Sequence, residues 1–264
     1  LITEQARTTL YLPGNDSLYH QDMKPIYEVM SQDLILQIDR DAKTSQQPIV
    51  SNYHQMGFYF DAITWNPKSD TIGFTSLIDK EHKVFAIESM DFYRLSRYKQ
   101  YAGVLKYHPL IMIYTYFYKY NRGNPEILLD KLLEVYDYKW GREAFIAHIP
   151  DLVGAGFIEW DGDFNMITVK RPLLVWTRAH RGKKDYDVLQ LISQVKKGNT
   201  AQMNYNSKTV LAKGVKYFSF SDSQHVDVFP KNKEVYVYKN RNMNYAGKMR
   251  AGIMNLFTNY DQHL

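Results

Sequence analysis

The chain has 264 residues, a length that permits one large domain or two smaller ones. It contains no cysteine, which excludes disulfides, thiol catalysis and zinc held by cysteine. The net charge of +5, from 33 Lys and Arg against 28 Asp and Glu, is too small an excess to identify a nucleic-acid-binding protein.

The apolar runs and the two ends of the chain suggest a piece of a longer protein that has no membrane span. The longest apolar runs, such as 110–118, fall short of the ~20 residues that span a bilayer, so we expect no transmembrane segment. The chain begins at Leu1 without an initiator Met or a basic-then-apolar leader, and it stops at Leu264 without a boundary signal. We therefore expect a piece of a longer polypeptide.

The first third of the chain is predicted to form a sheet. A β-prone run from Arg7 to Leu12 stops at the turn signal Pro13-Gly14-Asn15-Asp16. Apolar and polar residues alternate from Leu34 to Asp39 and, most clearly, from Met56 to Trp65. From Ser89 to about Tyr101 this alternation gives way to helical spacing, which predicts a helix.

The stretch from Pro109 to Val169 is predicted to contain three helices and a hairpin. The helices cover Leu110–Tyr118, Pro125–Tyr136 and Arg142–Ala155. The last contains Pro150, which predicts a bend or a break just before His148. Asp161-Gly162 lies between two β-prone arms and predicts a hairpin, because both residues accept positive φ. Three helices followed by a hairpin are typical of a winged helix, a fold used for nucleic-acid and for protein contacts.

Beyond Pro172 the composition favours short strands separated by Gly, Asn or Asp-Ser breaks. The predicted strands are Leu173–Trp176, Asp187–Val195, Ala201–Tyr205, Val215–Phe220, Val226–Phe229, Val235–Tyr238 and Lys248–Phe257. The predicted fold class is therefore α+β, with strand-rich ends, as a sheet, sandwich or solenoid, flanking a small winged-helix-like insert. The expected domains are 1–104, β-rich and ending in a helix; 105–176, the insert; and 177–264, again β-rich.

An ordered set of short motifs carries a family resemblance. The motifs are Asp16-Ser17-Leu18-Tyr19-His20, Asn52-Tyr53-His54, His108-Pro109-Leu110, Lys213-Gly214-Val215, Ser221-Asp222-Ser223-Gln224, Phe229-Pro230-Lys231-Asn232-Lys233-Glu234-Val235, Lys239-Asn240-Arg241 and Ala251-Gly252. Together they resemble a family of very large, mostly uncharacterised, strand-rich envelope or secreted proteins of Bacteroidota. The resemblance runs from about Thr8 to the end, although Gln21 stands where a Pro is expected. It implies an internal segment of such a protein and supplies no catalytic residues.

The predicted helices between Glu126 and Asp151 are acidic, with six acidic and three basic residues and a net charge of −3. Phosphate would be repelled by this charge, so these helices favour a protein contact over DNA binding. The candidate partner face consists of Glu126, Asp130, Glu134 and Glu143.

Positively charged residues follow the predicted hairpin, in a segment that we call the basic stretch. It consists of Lys170, Arg171, Arg178, Arg181, Lys183 and Lys184. Such a stretch is able to bind nucleic acid, an anionic glycan or a lipid head group, but it is more often a solvated loop rich in Lys and Arg.

No catalytic, cofactor or metal motif is present. Asp161 to Asn165 places oxygen ligands as a calcium loop does, yet Met166 stands where that loop needs Gly and Pro172 where it needs Glu, so a plain turn is expected. The eight histidines are scattered, and His54 is interpreted as a packed or hydrogen-bonded structural residue.

The sequence therefore favours a non-enzymatic structural or interaction segment of a large bacterial envelope protein, with the helical insert as a protein-contact module. Its partner would be another protein or the remainder of a longer chain, and no cofactor is expected. The alternative is a nucleic-acid-binding winged-helix module, such as a replication or mobile-element factor, that uses the basic stretch. An envelope or secreted location follows from the resemblance alone, and a cytoplasmic location stays open.

Overall fold

The computed structural model describes residues 2, 6–39, 47–75, 83–102, 107–136, 142–195, 199–219, 225–230, 234–251 and 254–263. The chain divides into two compact units. Unit 1 comprises Leu1–Ala42, Pro48–Phe92 and Val188–Leu264, and unit 2 comprises Lys43–Gln47 and Tyr93–Asp187. Within the described ranges, no helix is both long and apolar enough to cross a bilayer.

The first part of unit 1 consists of eight described strands. Strands β1 to β8 cover Ala6–Leu12, Asp16–Glu28, Asp33–Ile38, Ile49–Ser51, Met56–Tyr59, Ala62–Trp65, Thr71–Thr75 and Lys83–Ser89. The clearest strand prediction, Met56–Trp65, is split into β5 and β6 by Phe60 and Asp61. The predicted helix from Ser89 is much shorter in the structure, because Ser89 still ends β8 and pairs with Met56.

Unit 2 contains five helices and three short strands among its described residues. Helices α1 to α5 cover Leu95–Gln100, Pro109–Lys119, Leu129–Val135, Arg142–Gly154 and Arg171–His180. Strands β9 to β11 cover Glu126–Leu128, Ile158–Asp161 and Met166–Val169, and they form an antiparallel sheet in the order β10-β11-β9.

The return of the chain to unit 1 adds eight more strands. Strands β12 to β19 cover Gln190–Val195, Ala201–Asn204, Val210–Lys213, Val215–Ser219, His225–Pro230, Glu234–Val237, Met243–Ala251 and Met254–His263. The sixteen strands of unit 1 form one sheet, in the order β1-β2-β3-β6-β7-β13-β14-β17-β18-β16-β15-β12-β8-β5-β4, with β19 beside β18. Strand β2 also pairs with β4, so the last strand in this order is hydrogen-bonded to the second strand.

This sheet shows that the predicted fold class is wrong. Among the described residues, about twice as many belong to strands as to helices, so this part of the chain is strand-dominated. The two strand-rich ends are not separate structures on either side of a winged-helix-like insert. They share one antiparallel sheet, joined where β7 pairs with β13 and where β8 pairs with β12. The prediction failed because both junctions join segments more than a hundred residues apart, which local patterns do not reveal.

The interior of unit 1 is apolar and rich in aromatic rings. Phe60 stacks on Phe74 and on Phe85, with ring centroids 4.8 Å apart in both pairs. Each of these rings is at least 96% buried, and Phe58, whose ring lies beside those of Phe60 and Phe74, is fully buried. Burial of about 25 cal/mol per Å² of apolar surface makes such rings the main stabilising contribution to the sheet.

Local predictions in unit 2 were partly right. Helices α2 and α4 and the hairpin of β10 and β11 are confirmed. Helix α4 runs through Pro150 without a break, because Ile149 and Leu152 on either side of it are buried in the core of the unit.

Two predictions in unit 2 were wrong. The helix predicted from Pro125 begins only at Leu129, because Glu126–Leu128 pairs with β11. The strand predicted at Leu173–Trp176 is the middle of helix α5, since Leu173 and Trp176 lie one helical turn apart and are both buried.

Candidate interaction surface of unit 2

The N-terminus of helix α2 is fixed by a histidine and a proline. Pro109 occupies the first turn, where a missing N–H is tolerated. The ring of His108 caps this turn, because its Nδ1 accepts a hydrogen bond of 3.3 Å from the amide of Leu110. Its Nε2 donates to the carbonyl of Tyr98 at 2.9 Å, and burial lowers the pKa of His108, which keeps the ring in the neutral form that this cap requires.

Stacked rings hold α1, α2 and α5 together. The buried ring of Tyr98 lies between the rings of His108 and His180, with centroid distances of 4.0 and 4.1 Å and nearly parallel planes. The hydroxyl of Tyr93 makes a further contact of 3.2 Å with Nδ1 of His180. Since His180 is the last residue of α5, this stack fixes the end of that helix.

Helix α2 buries an apolar side and leaves tyrosines on its other sides. Leu110, Ile113 and Phe117 are buried in the core of unit 2. Tyr114 and Tyr118, one turn apart, have ring centroids 4.8 Å from each other, and the hydroxyl-bearing ring of Tyr118 is 42% exposed. The helix thus presents paired tyrosine rings at its surface.

Two arginines from the end of α5 lie over these rings. The guanidinium carbon of Arg178 is 5.3 Å from the ring centroid of Tyr118, and that of Arg181 is 5.1 Å from the centroid of Tyr114. Arg178 also donates to the Tyr118 hydroxyl, and Arg181 donates to Oγ1 of Thr115 at 3.4 Å. We call these five residues the Tyr–Arg surface. Cation–π contacts of this kind stabilise by about 0.5–1 kcal/mol at exposed sites.

The electrostatics of this surface favour permanent positive charge. A hydrogen bond to Tyr114, with smaller contributions from Tyr118, raises the pKa of the Arg178 guanidinium above its ordinary value. Both arginines lie at the C-terminal end of α5, where the helix dipole favours cations. The surface is therefore cationic at any physiological pH.

In the structure, some residues of the basic stretch pair with other residues of unit 2, and others are exposed. Lys170 forms an ion pair with Glu159 at 2.5 Å, which neutralises it within the unit. Arg171 begins α5, and Arg178 and Arg181 follow it at spacings of seven and ten residues, which places the three on one side of the helix. Lys183 and Lys184 follow the helix, and Lys183 is exposed.

The four residues of the candidate partner face are spread over one strand and two helices. Asp130 on α3 accepts from Arg142 of α4 and from Asn165 of the hairpin turn, the latter at 3.0 Å. Glu134 pairs with Lys131 at 3.0 Å on the same helix. Two of the four carboxylates are therefore engaged inside the unit. Exposed Glu126 and Glu143 lie on β9 and in the first turn of α4.

The spacing of the tyrosines in the sequence is a signal for the Tyr–Arg surface. Tyr114, Tyr116, Tyr118 and Tyr120 recur at every second position, a period that is typical of strands. On a helix, this period produces two separate pairs with i, i+4 spacing, and both pairs of rings are in contact. The approach of Arg178 and Arg181 depends on the packing of α5 against α2, which no local pattern contains.

The described residues include no group of three or more potential metal ligands. No protein-family model, curated protein or solved structure matches the chain.

Proposed function

We propose that the chain is a non-enzymatic structural and interaction segment of a large bacterial envelope protein, and that unit 2 binds an acidic protein partner through the Tyr–Arg surface. The observation that carries this proposal is the placement of two guanidinium groups over the exposed ring of Tyr118 and the half-buried ring of Tyr114. The envelope context rests on the family resemblance alone.

The composition of the surface supports a protein partner. Tyrosine and arginine are enriched among the residues that dominate binding energies at protein interfaces. A tyrosine ring offers a large contact area with little conformational freedom to lose. A guanidinium group binds a carboxylate through two parallel hydrogen bonds, so acidic side chains are the complementary groups.

Preorganisation supports the same conclusion. Arg178 and Arg181 are already held by rings and hydroxyls of α2, so that less side-chain entropy is lost when a partner binds. The stack of Tyr98 with two histidines fixes the helix end that carries both arginines.

Binding of nucleic acid is a second candidate function. It is favoured by the residues that follow α5, where exposed Lys183 is followed by Tyr186, which is 53% exposed. Lysines that contact phosphates, together with an aromatic ring on which a base can stack, are typical of single-strand binding.

One titration distinguishes the two candidates. Fluorescently labelled poly-glutamate peptide, single-stranded DNA and duplex DNA are added separately to the protein, and anisotropy is measured. The protein-contact proposal predicts that the peptide binds, that Arg178→Ala with Arg181→Ala weakens binding about tenfold or more, and that Lys183→Ala with Lys184→Ala changes it by less than about threefold.

Two outcomes contradict the proposal. If neither the peptide nor DNA binds, the Tyr–Arg surface is not a site for acidic partners. If DNA binds more tightly than the peptide, and its affinity falls steeply with salt and is weakened by both double variants, the second candidate takes its place.

A further inference from the structure

The ring of His108 makes two hydrogen bonds that only its neutral form can make together. Nδ1 accepts from the amide of Leu110 at 3.3 Å, and Nε2 donates to the carbonyl of Tyr98 at 2.9 Å. An imidazolium carries a proton on both nitrogens, so it can keep the second bond but not the first. Proton uptake at Nδ1 therefore removes the acceptor that caps the first turn of α2, at the amide of the fully buried Leu110.

The position of His108 at the start of a helix also disfavours a positive charge on its ring. The amide dipoles of α2 place partial positive charge at this end of the helix, so a cation is repelled there. Burial lowers the pKa of His108, the hydrogen bond to the carbonyl of Tyr98 opposes this shift, and the nearby His180 lowers the pKa further. In the folded protein, the ring therefore gains its proton only at a pH below the ordinary value of about 6.5.

The titratable and charged groups around this ring come from three elements. Tyr98 of α1 faces His108 with its ring and its carbonyl. Helix α5 and the residue after it contribute His180, on the other side of the Tyr98 ring, and Arg181, whose charge acts on Tyr98. The segment before α1 contributes Tyr93, whose hydroxyl lies 3.2 Å from Nδ1 of His180. Since His180 and Arg181 are bases, neither of them compensates a positive charge on His108.

The same stack of rings connects His108 to the Tyr–Arg surface. His180 is followed directly by Arg181, whose guanidinium lies over the ring of Tyr114. Tyr114 lies about one helical turn beyond Leu110, the residue whose amide His108 caps. A change at His108 therefore reaches the surface by two routes, through the end of α5 and through the first turns of α2.

We propose that His108 makes the Tyr–Arg surface sensitive to acid: proton uptake at Nδ1 opens the first turn of α2, displaces the ring from Tyr98 and weakens binding of the acidic partner. This inference rests on the function proposed above. An additional positive charge would by itself strengthen the binding of an acidic ligand. Weaker binding in acid is therefore the result of the change in structure and not of the change in charge.

Binding at two pH values tests this inference. The probe is a labelled peptide of Asp-Gly-Ser repeats, whose carboxylates stay mostly ionised at pH 5 because the ordinary pKa of Asp is about 3.9. Anisotropy gives its affinity for the protein at pH 7.5 and at pH 5. We expect the affinity to be about threefold or more lower at pH 5, because only the fraction of the protein with neutral His108 holds the surface in its binding form.

The variant His108→Asn keeps the cap and removes the titration. The amide oxygen of Asn accepts a hydrogen bond at a helix N-terminus, and it does not gain a proton in this range. At pH 7.5 the variant should bind the peptide within about threefold of the original protein, and it should lose the weakening in acid. The matched control is His225→Asn, at an exposed position of unit 1, which should respond to acid as the original protein does.

A second measurement follows the cap without any ligand. In the NMR spectrum of the original protein, the amide of Leu110 is expected to titrate with the same midpoint as the ring of His108, because the two are joined by the bond that the proton breaks. This titration decides the test if His108→Asn does not fold.

The outcomes for the inference and for the proposed function are distinguishable. If the peptide does not bind at pH 7.5, the proposed function fails and the inference fails with it. If the peptide binds at pH 7.5 and binds equally or more tightly at pH 5, the inference alone is overturned. The same conclusion follows if His108→Asn weakens in acid as much as the original protein, or if the amide of Leu110 does not respond to pH.

Discussion

A single buried histidine connects three turns of unit 1. Nδ1 of His54 contacts Oγ of Ser51 at 2.7 Å, and its Nε2 contacts the carbonyl of Lys208 at 2.7 Å. Nζ of Lys208 donates in turn to the carbonyl of Pro13 and to Oδ2 of Asp16, at 2.8 and 2.7 Å. The turns before β2, before β5 and before β14 are therefore tied together, and the interpretation of His54 as a hydrogen-bonded structural residue is confirmed.

His54 makes the stability of unit 1 depend on pH. Desolvation by burial lowers its pKa from 6.5 to about 4, although the bond to Lys208 and the charge of Asp16 raise it. The unfolded chain thus binds a proton between pH 6.5 and 4 that the folded chain does not. Its contribution to stability is fully present above pH 6.5 and is lost as the pH falls to about 4, by about 3 kcal/mol.

The variant His54→Gln isolates this effect. Urea unfolding at pH 7 and at pH 4 gives the free energy of unfolding of both proteins. We expect the variant to be less stable at pH 7 and the difference between the proteins to shrink by about 3 kcal/mol at acid pH. His225→Gln, at an exposed position, is the control. A difference that stays constant with pH would contradict the lowered pKa of His54.

At the scale of secondary-structure elements, the sequence correctly predicted elements that are held by contacts between residues close in sequence. The hairpin of β10 and β11 was predicted from Asp161-Gly162, but the expected positive φ at these two residues is wrong. Oδ1 of Asp161 accepts from the amides of Asp163 and Phe164 at 3.1 and 3.2 Å, and Asn165, not Gly162, adopts positive φ. An Asx turn thus replaces the expected glycine turn.

Elements that form only through contacts with segments distant in sequence were not predicted. Strand β2 has 13 residues and contains Pro25, a residue that sequence patterns assign to strand ends. It is held by pairing with β1 on one side and with β3 and β4 on the other. The Tyr–Arg surface was missed in the same way, because its two arginines lie at the end of α5, and the middle of this helix was predicted as a strand.

Helix α4 contains a proline whose replacement should stabilise unit 2. Pro150 is exposed and lies inside the helix, where it removes one backbone hydrogen bond and crowds the preceding turn. Pro150→Ala is expected to raise the free energy of unfolding by about 1–2 kcal/mol, since the greater freedom of the unfolded chain offsets part of the gain. Asp151→Ala, also exposed, is the control. A lower thermal midpoint for Pro150→Ala would show that the proline is needed where it is.

At the scale of the whole molecule, one sheet is assembled from both ends of the sequence. The chain leaves unit 1 after β8 and returns at β12, and these two strands are neighbours in the sheet, with Glu88 opposite Gln190. Composition correctly indicated strands at both ends of the chain. It did not indicate that they pair, because the registers between β7 and β13 and between β8 and β12 depend on the assembled core.

The two units carry different chemistry. The sheet of unit 1 has a cavity lined by carboxylates and amides, whereas unit 2 presents arginines over tyrosines. We propose an acidic protein as the ligand of unit 2. The contact role of unit 2 is the central claim.

The most direct test of this contact role replaces the two guanidinium groups by groups that have the same charge but a different shape. In the double variant Arg178→Lys and Arg181→Lys, net charge is unchanged, but lysine lacks the planar fork that stacks on tyrosine and grips a carboxylate. Binding of labelled poly-glutamate peptide is measured by anisotropy at physiological salt. Affinity is predicted to fall about tenfold. Equal affinity for the variant and the original protein would show that only net charge matters, and would contradict the Tyr–Arg surface as a specific contact site.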